Sequence, residues 1–106
     1  MITTTYHRAK HRLTVNGHAE NGDPGHDMLC ASASTLTLTL AAALIDLSMA
    51  GLIAAPHATL ERGEADLHCQ ASHSSRGAVL LTFDTVARGF ALLANHYPAQ
   101  MTYEEK

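Results

Sequence analysis

The chain has 106 residues, the size of one compact domain over 1–106 and too short for two of ordinary size. Seven Lys and Arg against ten Asp and Glu leave a net charge of −3, without the basic footprint that general binding to nucleic-acid backbones needs. With 46% hydrophobic and 16% charged residues, a core can be buried and wholesale disorder is excluded. Two cysteines, Cys30 and Cys69, cannot supply the disulfide framework of a small secreted domain. The opening MITTTYHRAKHR has no apolar stretch like that of a signal peptide. The most apolar run, 41–55, is broken by Asp46 and Ser48 and falls short of the ~20 residues that span a bilayer. A soluble protein in a reducing, cytoplasmic setting is expected, with no membrane partner.

Residues 2–8 are Thr- and Tyr-rich and read as a strand, 13–17 as a second, and the polar stretch 9–12 joins them in a hairpin. Residues 17–26 hold three glycines and a proline, the composition of a mobile loop. Leu29, Ala33, Leu36, Leu40, Leu44 and Leu47 then recur at steps of three and four, a helical stripe. Thr35-Leu36-Thr37-Leu38-Thr39-Leu40 alternates as a strand would, but the length of the stripe and its alanine-rich continuation favour a helix. Asp27 suits its N-cap, which places Cys30 in the first turn, and Gly51 suits its C-terminal end. Residues 57–61 and 66–71 read as strands about a turn at 62–65. Ser74 or Ser75 caps a second helix carrying Val79, Leu80, Phe83, Val86, Phe90, Leu93 and Tyr97 on one side. Gly89 inside it costs about 1 kcal/mol of helix propensity against Ala and suggests close packing. Pro98 stops this helix, and 100–103 add an edge strand. The order β-β-α-β-β-α-β, with two main helices over one face of a small mixed or antiparallel sheet, makes a two-layer α/β sandwich.

The sharpest chemical constellation is Gly17-His18-Ala19, followed after the loop by Asp27-Met28-Leu29-Cys30-Ala31-Ser32-Ala33-Ser34. A cysteine in a first helical turn meets unpaired N–H groups and the positive end of the dipole, which favour thiolate. His18, at the end of a strand, can accept the thiol proton and later protonate a leaving amine. Backbone N–H groups at the helix start can hold an oxyanion, and the loop can close over a substrate. A buried cysteine with an exposed histidine would show the same spacing.

At these residues the chain resembles the ribosomal-processing cysteine proteases of bacteria, whose signature is Gly-His-Ala, a Gly-rich loop, then Gly-x-Asp-x-x-Cys-Ala-x-x-Ser. Here it stands as Gly17-His18-Ala19 and Gly25-His26-Asp27-Met28-Leu29-Cys30-Ala31-Ser32-Ala33-Ser34, and the likeness covers nearly the whole chain. The resemblance implies an endopeptidase with Cys30 as nucleophile and His18 as base, no cofactor, and a homodimer. It also implies a substrate: the N-terminal extension of a large-subunit ribosomal protein. That extension sits on the arm reaching the peptidyl-transferase centre, so its removal matures the ribosome.

Asp27 either orients His18 or caps the helix. Ser34, one turn beyond Cys30, either bonds within the site or satisfies a backbone carbonyl. Gly17, Gly22 and Gly25 supply loop geometry. Cys69 reads as core. The basic cluster His7, Arg8, Lys10, His11 and Arg12 reads as a solvated hairpin tip, so no direct nucleic-acid contact is required. His26, Cys30 and His18 could hold zinc, but no Cys-x-x-Cys or His-Glu-x-x-His pattern accompanies them, and no metal is expected. The remaining alternative is a ribosome-associated binding module of the same fold without turnover.

Overall fold

In the computed structural model, which describes residues 1–19 and 25–106, β1 (Ile2–His7) and β2 (Arg12–Gly17) form the expected antiparallel hairpin. A 3-10 turn at Arg8–Lys10 joins them, and His11 leaves it in the left-handed region at φ 49°. A second hairpin, β3 (His57–Glu61) and β4 (Glu64–His68), pairs through β4 with β2. The last strand, β5 (Met101–Glu105), lies parallel to β1. The five strands stand in the order β3-β4-β2-β1-β5, a mixed sheet. β4 begins earlier than 66 because the turn is tighter than 62–65: Gly63, at φ 79°, lets the chain reverse between Glu61 and Glu64.

Side chains of a strand alternate between faces, and here they sort cleanly. Ile2, Thr4, Tyr6, Leu13, Ala65, Leu67 and Met101 are buried on one face. Thr3, Thr5, Thr14, Asp66 and His68 belong to the other, which no helix covers. Helices α1 (His26–Met49) and α2 (Arg76–His96) lie side by side on the buried face. Leu29, Leu40 and Leu44 of α1 and Val79, Phe83 and Phe90 of α2 are fully buried there. The Phe83 ring stacks on Tyr6 with centroids 6.0 Å apart. By length and composition both helices could cross a bilayer; in this fold each lays one face on the sheet.

The alternating threonines of α1 are reconciled with a helix by their hydroxyls. Thr35, Thr37 and Thr39 bond the carbonyls of Ala31, Ala33 and Thr35 at 2.9, 2.8 and 2.7 Å, each four residues back along the helix. Beyond Met49 the chain leaves through Gly51 at φ 77°, with Leu52 N–H on the Leu47 carbonyl. Gly89 lets the helices meet: a Cβ there would fall 2.8 Å from Leu36 Cδ2. The helices leave β3 uncovered, exposed along its length except at Thr59, and a cleft opens there.

Candidate active site

His26, Cys30, Ser34 and Leu38 recur every fourth residue and so form one stripe on α1. Across from them stands the β3–β4 turn from Leu60 to Ala65, and Ile2, Val15 and the Gly17-His18-Ala19 segment complete the walls. These side chains enclose an open cleft of about 880 Å³. His18, Cys30, Ser34 and Gly17 therefore border one space although they come from different elements. The apolar lining of Ile2, Val15, Ala33, Leu38, Leu60 and Ala65 meets a charged rim of Glu61, Arg62 and Glu64. Such a lining suits an extended peptide with apolar side chains.

His18 is held from below and behind. Gly17, at φ 98°, passes so near Met1 that a Cβ would stand 2.1 Å from its carbonyl oxygen. Gly17 N–H donates to the Gly63 carbonyl at 2.9 Å, and the Met1 ammonium donates to the His18 carbonyl at 2.7 Å. The imidazole rests on the backbone of Gly63, where a Cβ would fall 2.3 Å from Nε2. Ala19 next to it is buried. Gly22 and the rest of 20–24 lie outside the described residues.

The start of α1 differs from the expectation. Gly25, at φ 75°, is the N-cap, and Leu29 N–H bonds its carbonyl at 2.8 Å. Gly25 has no side chain to cap with, and Asp27 is the second helical residue, not the N-cap. Its carboxylate is fully exposed and stands 3.9 Å from His26 Nε2. Cys30 accordingly lies in the second turn, where its N–H belongs to the helical ladder and the dipole acts more weakly than in the first. Its half-buried Sγ is 4.0 Å from His26 Nδ1. The Ser34 hydroxyl makes no hydrogen bond among the described residues, so it back-bonds no carbonyl and faces the cleft. Gly25 also makes room for Tyr97 at the end of α2: a Cβ would meet Tyr97 Cε1 at 2.5 Å.

Elsewhere, Cys69 is buried just past β4, where burial pushes its thiol pKa up. The basic cluster is not simply solvated. Arg8 grips Asp84 with Nε and Nη2, each at 3.0 Å, and Arg12 grips Asp66 in the same two-pronged way, Nε at 2.9 Å. Among the described residues no three His, Cys, Asp or Glu side chains gather as a metal site. Sequence reasoning missed the roles of Gly63, Leu38 and Leu60, which reach the cleft only through pairing of distant segments. It weighed His26 only as a metal ligand, although the four-residue spacing to Cys30 was visible.

The family model for cysteine protease Prp matches residues 1–102. Among curated proteins none matches. A crystal structure of the ribosomal processing protease Prp from S. aureus, with a covalently linked product peptide, superposes with a TM-score of 0.71. The two share 20% identity, with 100% of each chain covered. The same S. aureus protease with a substrate peptide gives 0.69 at 18% identity, covering 99% of this chain and 97% of that one. A protein from Streptococcus mutans gives 0.67 at 22% identity, covering 98% of this chain and 90% of that one. These likenesses establish a shared fold, and the family match runs through both arms of the cleft: the chain belongs to the cysteine protease Prp family.

Proposed function

We propose that the chain is a cysteine endopeptidase that removes the N-terminal extension of a large-subunit ribosomal protein in the cytoplasm. Cys30 is the nucleophile and His18 the general base, drawing protons from the thiol and from the hydrolytic water. The thiolate adds to the scissile carbonyl. The oxyanion is met by free N–H groups at the start of α1. Collapse breaks the C–N bond as the leaving amine takes a proton, and water then hydrolyses the thioester. The observation that carries this reading is the shared cleft of His18 and Cys30 beside β3. As an uncovered edge strand, β3 can pair with an extended peptide.

The test is incubation of the protein, and of Cys30→Ala, with the full-length ribosomal protein, followed by intact-mass analysis. Loss of an N-terminal peptide with the unmodified protein alone is expected. Cleavage persisting in Cys30→Ala would remove the nucleophile assignment, and binding without cleavage by either would favour a binding module. A homodimer belongs to the same reading, supported by Ile45 and Met49, exposed on α1, and by Leu52, exposed just past its end. Ile45→Glu is expected to reduce a dimeric mass in light scattering to that of the monomer.

A further inference from the structure

The sheet face that the helices leave bare carries two histidines, His57 and His68, which the sequence keeps eleven residues apart. β3 and β4 run antiparallel, and their register sets these two residues directly opposite each other. Opposed residues point to the same face with Cβ atoms about 4.5–5.5 Å apart. The two rings stack with centroids 4.5 Å apart and 21° between their planes. His57 is exposed and His68 half-buried, and His57 Nε2 meets the Thr59 hydroxyl at 3.1 Å. Asp66, two residues before His68, shares their face. Its carboxyl is held below the usual range first by the hydrogen bond from Arg12 and further by the charge of both rings. Arg12 lies opposite His68 on the other side, and the same carboxylate ties up its charge.

We propose that His57 and His68 together bind one divalent transition-metal ion of the kind that imidazole nitrogen favours: zinc, nickel or copper. Each ring gives one nitrogen lone pair, and water fills the other positions. Bonds of about 2.0–2.1 Å to one ion set the two nitrogens about 3 Å apart, so the rings turn about their side-chain bonds from a stack into a pincer. The register supplies the chelation: once one imidazole holds the ion, the other is already beside it, and its bond is intramolecular. Asp66 adds negative charge nearby without leaving Arg12. With two protein ligands the ion exchanges readily and is stripped by a chelator. The site stands apart from the cleft. His57 and His68 lie four residues from Glu61 and Glu64 at the turn, about 14 Å along the strands, and on the face opposite to Leu60 and Ala65. The ion clips β3, an edge strand, to β4 beside it.

The experiment is calorimetric titration of the untagged protein with nickel chloride, in Cys30→Ala so that the cleft thiol does not compete. Saturable binding is expected, and none with magnesium chloride, whose hard cation prefers oxygen ligands. His57→Gln and His68→Gln are each expected to weaken nickel binding about a hundredfold, the loss of one arm of a chelate. Absence of saturable binding, or full-strength binding in either variant, would overturn the proposal. His26→Gln is the control: a matching loss there would place the ion in the cleft and overturn it too. Nickel is paramagnetic, so NMR reports its position in the parent protein without relying on any histidine variant. The ring protons of His57 and His68 are expected to broaden first, and broadening confined to other histidines would overturn the proposal. Neither readout involves turnover, so this proposal and the cleavage test can each fail alone.

Discussion

Thr4 sits in β1 between Val15 of β2 and Tyr103 of β5, wholly buried, with a hydroxyl that has no hydrogen-bond partner among the described residues. A buried, unsatisfied hydroxyl costs about 1–3 kcal/mol of desolvation. Thr4→Val keeps the branched shape and removes that cost, so a gain of about 1 kcal/mol is expected, measured as a higher urea midpoint at unchanged slope. Gly63 is the opposite case, a residue whose missing side chain is in use. Its φ of 79° and the 2.3 Å from a Cβ to His18 Nε2 mean that Gly63→Ala strains the turn and displaces the imidazole. If His18 is the base proposed above, misplacing it costs up to about a hundredfold in rate, whereas a left-handed alanine costs only about 1–2 kcal/mol. We therefore expect Gly63→Ala to lose most of its peptidase turnover while its melting transition falls by about 5–15 °C and the protein stays folded at room temperature.

At the scale of elements, the two helices touch through the missing side chain of Gly89, opposite Leu36. Gly89→Ala would regain helix propensity while pressing on a side-chain tip that can turn away. Gly89→Val adds a branched group that cannot, and overpacking of this kind costs about 1–3 kcal/mol. Chemical denaturation should show that loss for Gly89→Val and a near-neutral Gly89→Ala. The helices and strands were legible because their apolar periods run for several turns or pleats, long enough to outweigh the threonine alternation at 35–40. Their ends were less so. The N-cap went to Gly25 instead of Asp27 because the chain enters the helix through a left-handed glycine, and a glycine carries no capping side chain to mark the position. β4 starts at Glu64 because a glycine tightened the turn. His18, Cys30, Ser34 and Gly17, singled out by the motif and the resemblance it carries, all line the cleft. Gly63, Leu38 and Leu60 could not be singled out in this way, since their place in the cleft depends on which strands pair.

Across the whole molecule, ion pairs join both sides of the sheet's first hairpin to distant segments: Arg8 to Asp84 on α2 and Arg12 to Asp66 on β4. Hydrogen bonds from these guanidinium groups hold both carboxyl groups below the usual carboxylate range. A lowered carboxyl pKa stabilises the fold above the unfolded value and ceases to do so as pH falls through the folded one. Acid denaturation should therefore steepen below the ordinary aspartate range, and Asp84→Asn should lessen that dependence in urea midpoints. At the alkaline end the sign reverses. Burial, reinforced by Asp84, holds the Tyr6 hydroxyl well above the ordinary tyrosine range, and burial raises Tyr103. Their stabilisation is complete below about pH 10, the unfolded value, and is lost above it. Phenolate absorbance from these two is expected to rise together with the loss of helical circular dichroism. The turn under His18 has a consequence of another kind. Hairpin tips usually accept inserted residues, since little rests on them. Here the tip at Gly63 is the seat of an imidazole and receives the Gly17 N–H on its carbonyl. An epitope spliced between Arg62 and Gly63 is expected to leave the strands paired and the protein soluble but, with His18 as the proposed base, inert; on that reading the length of this surface turn answers to the imidazole resting on it.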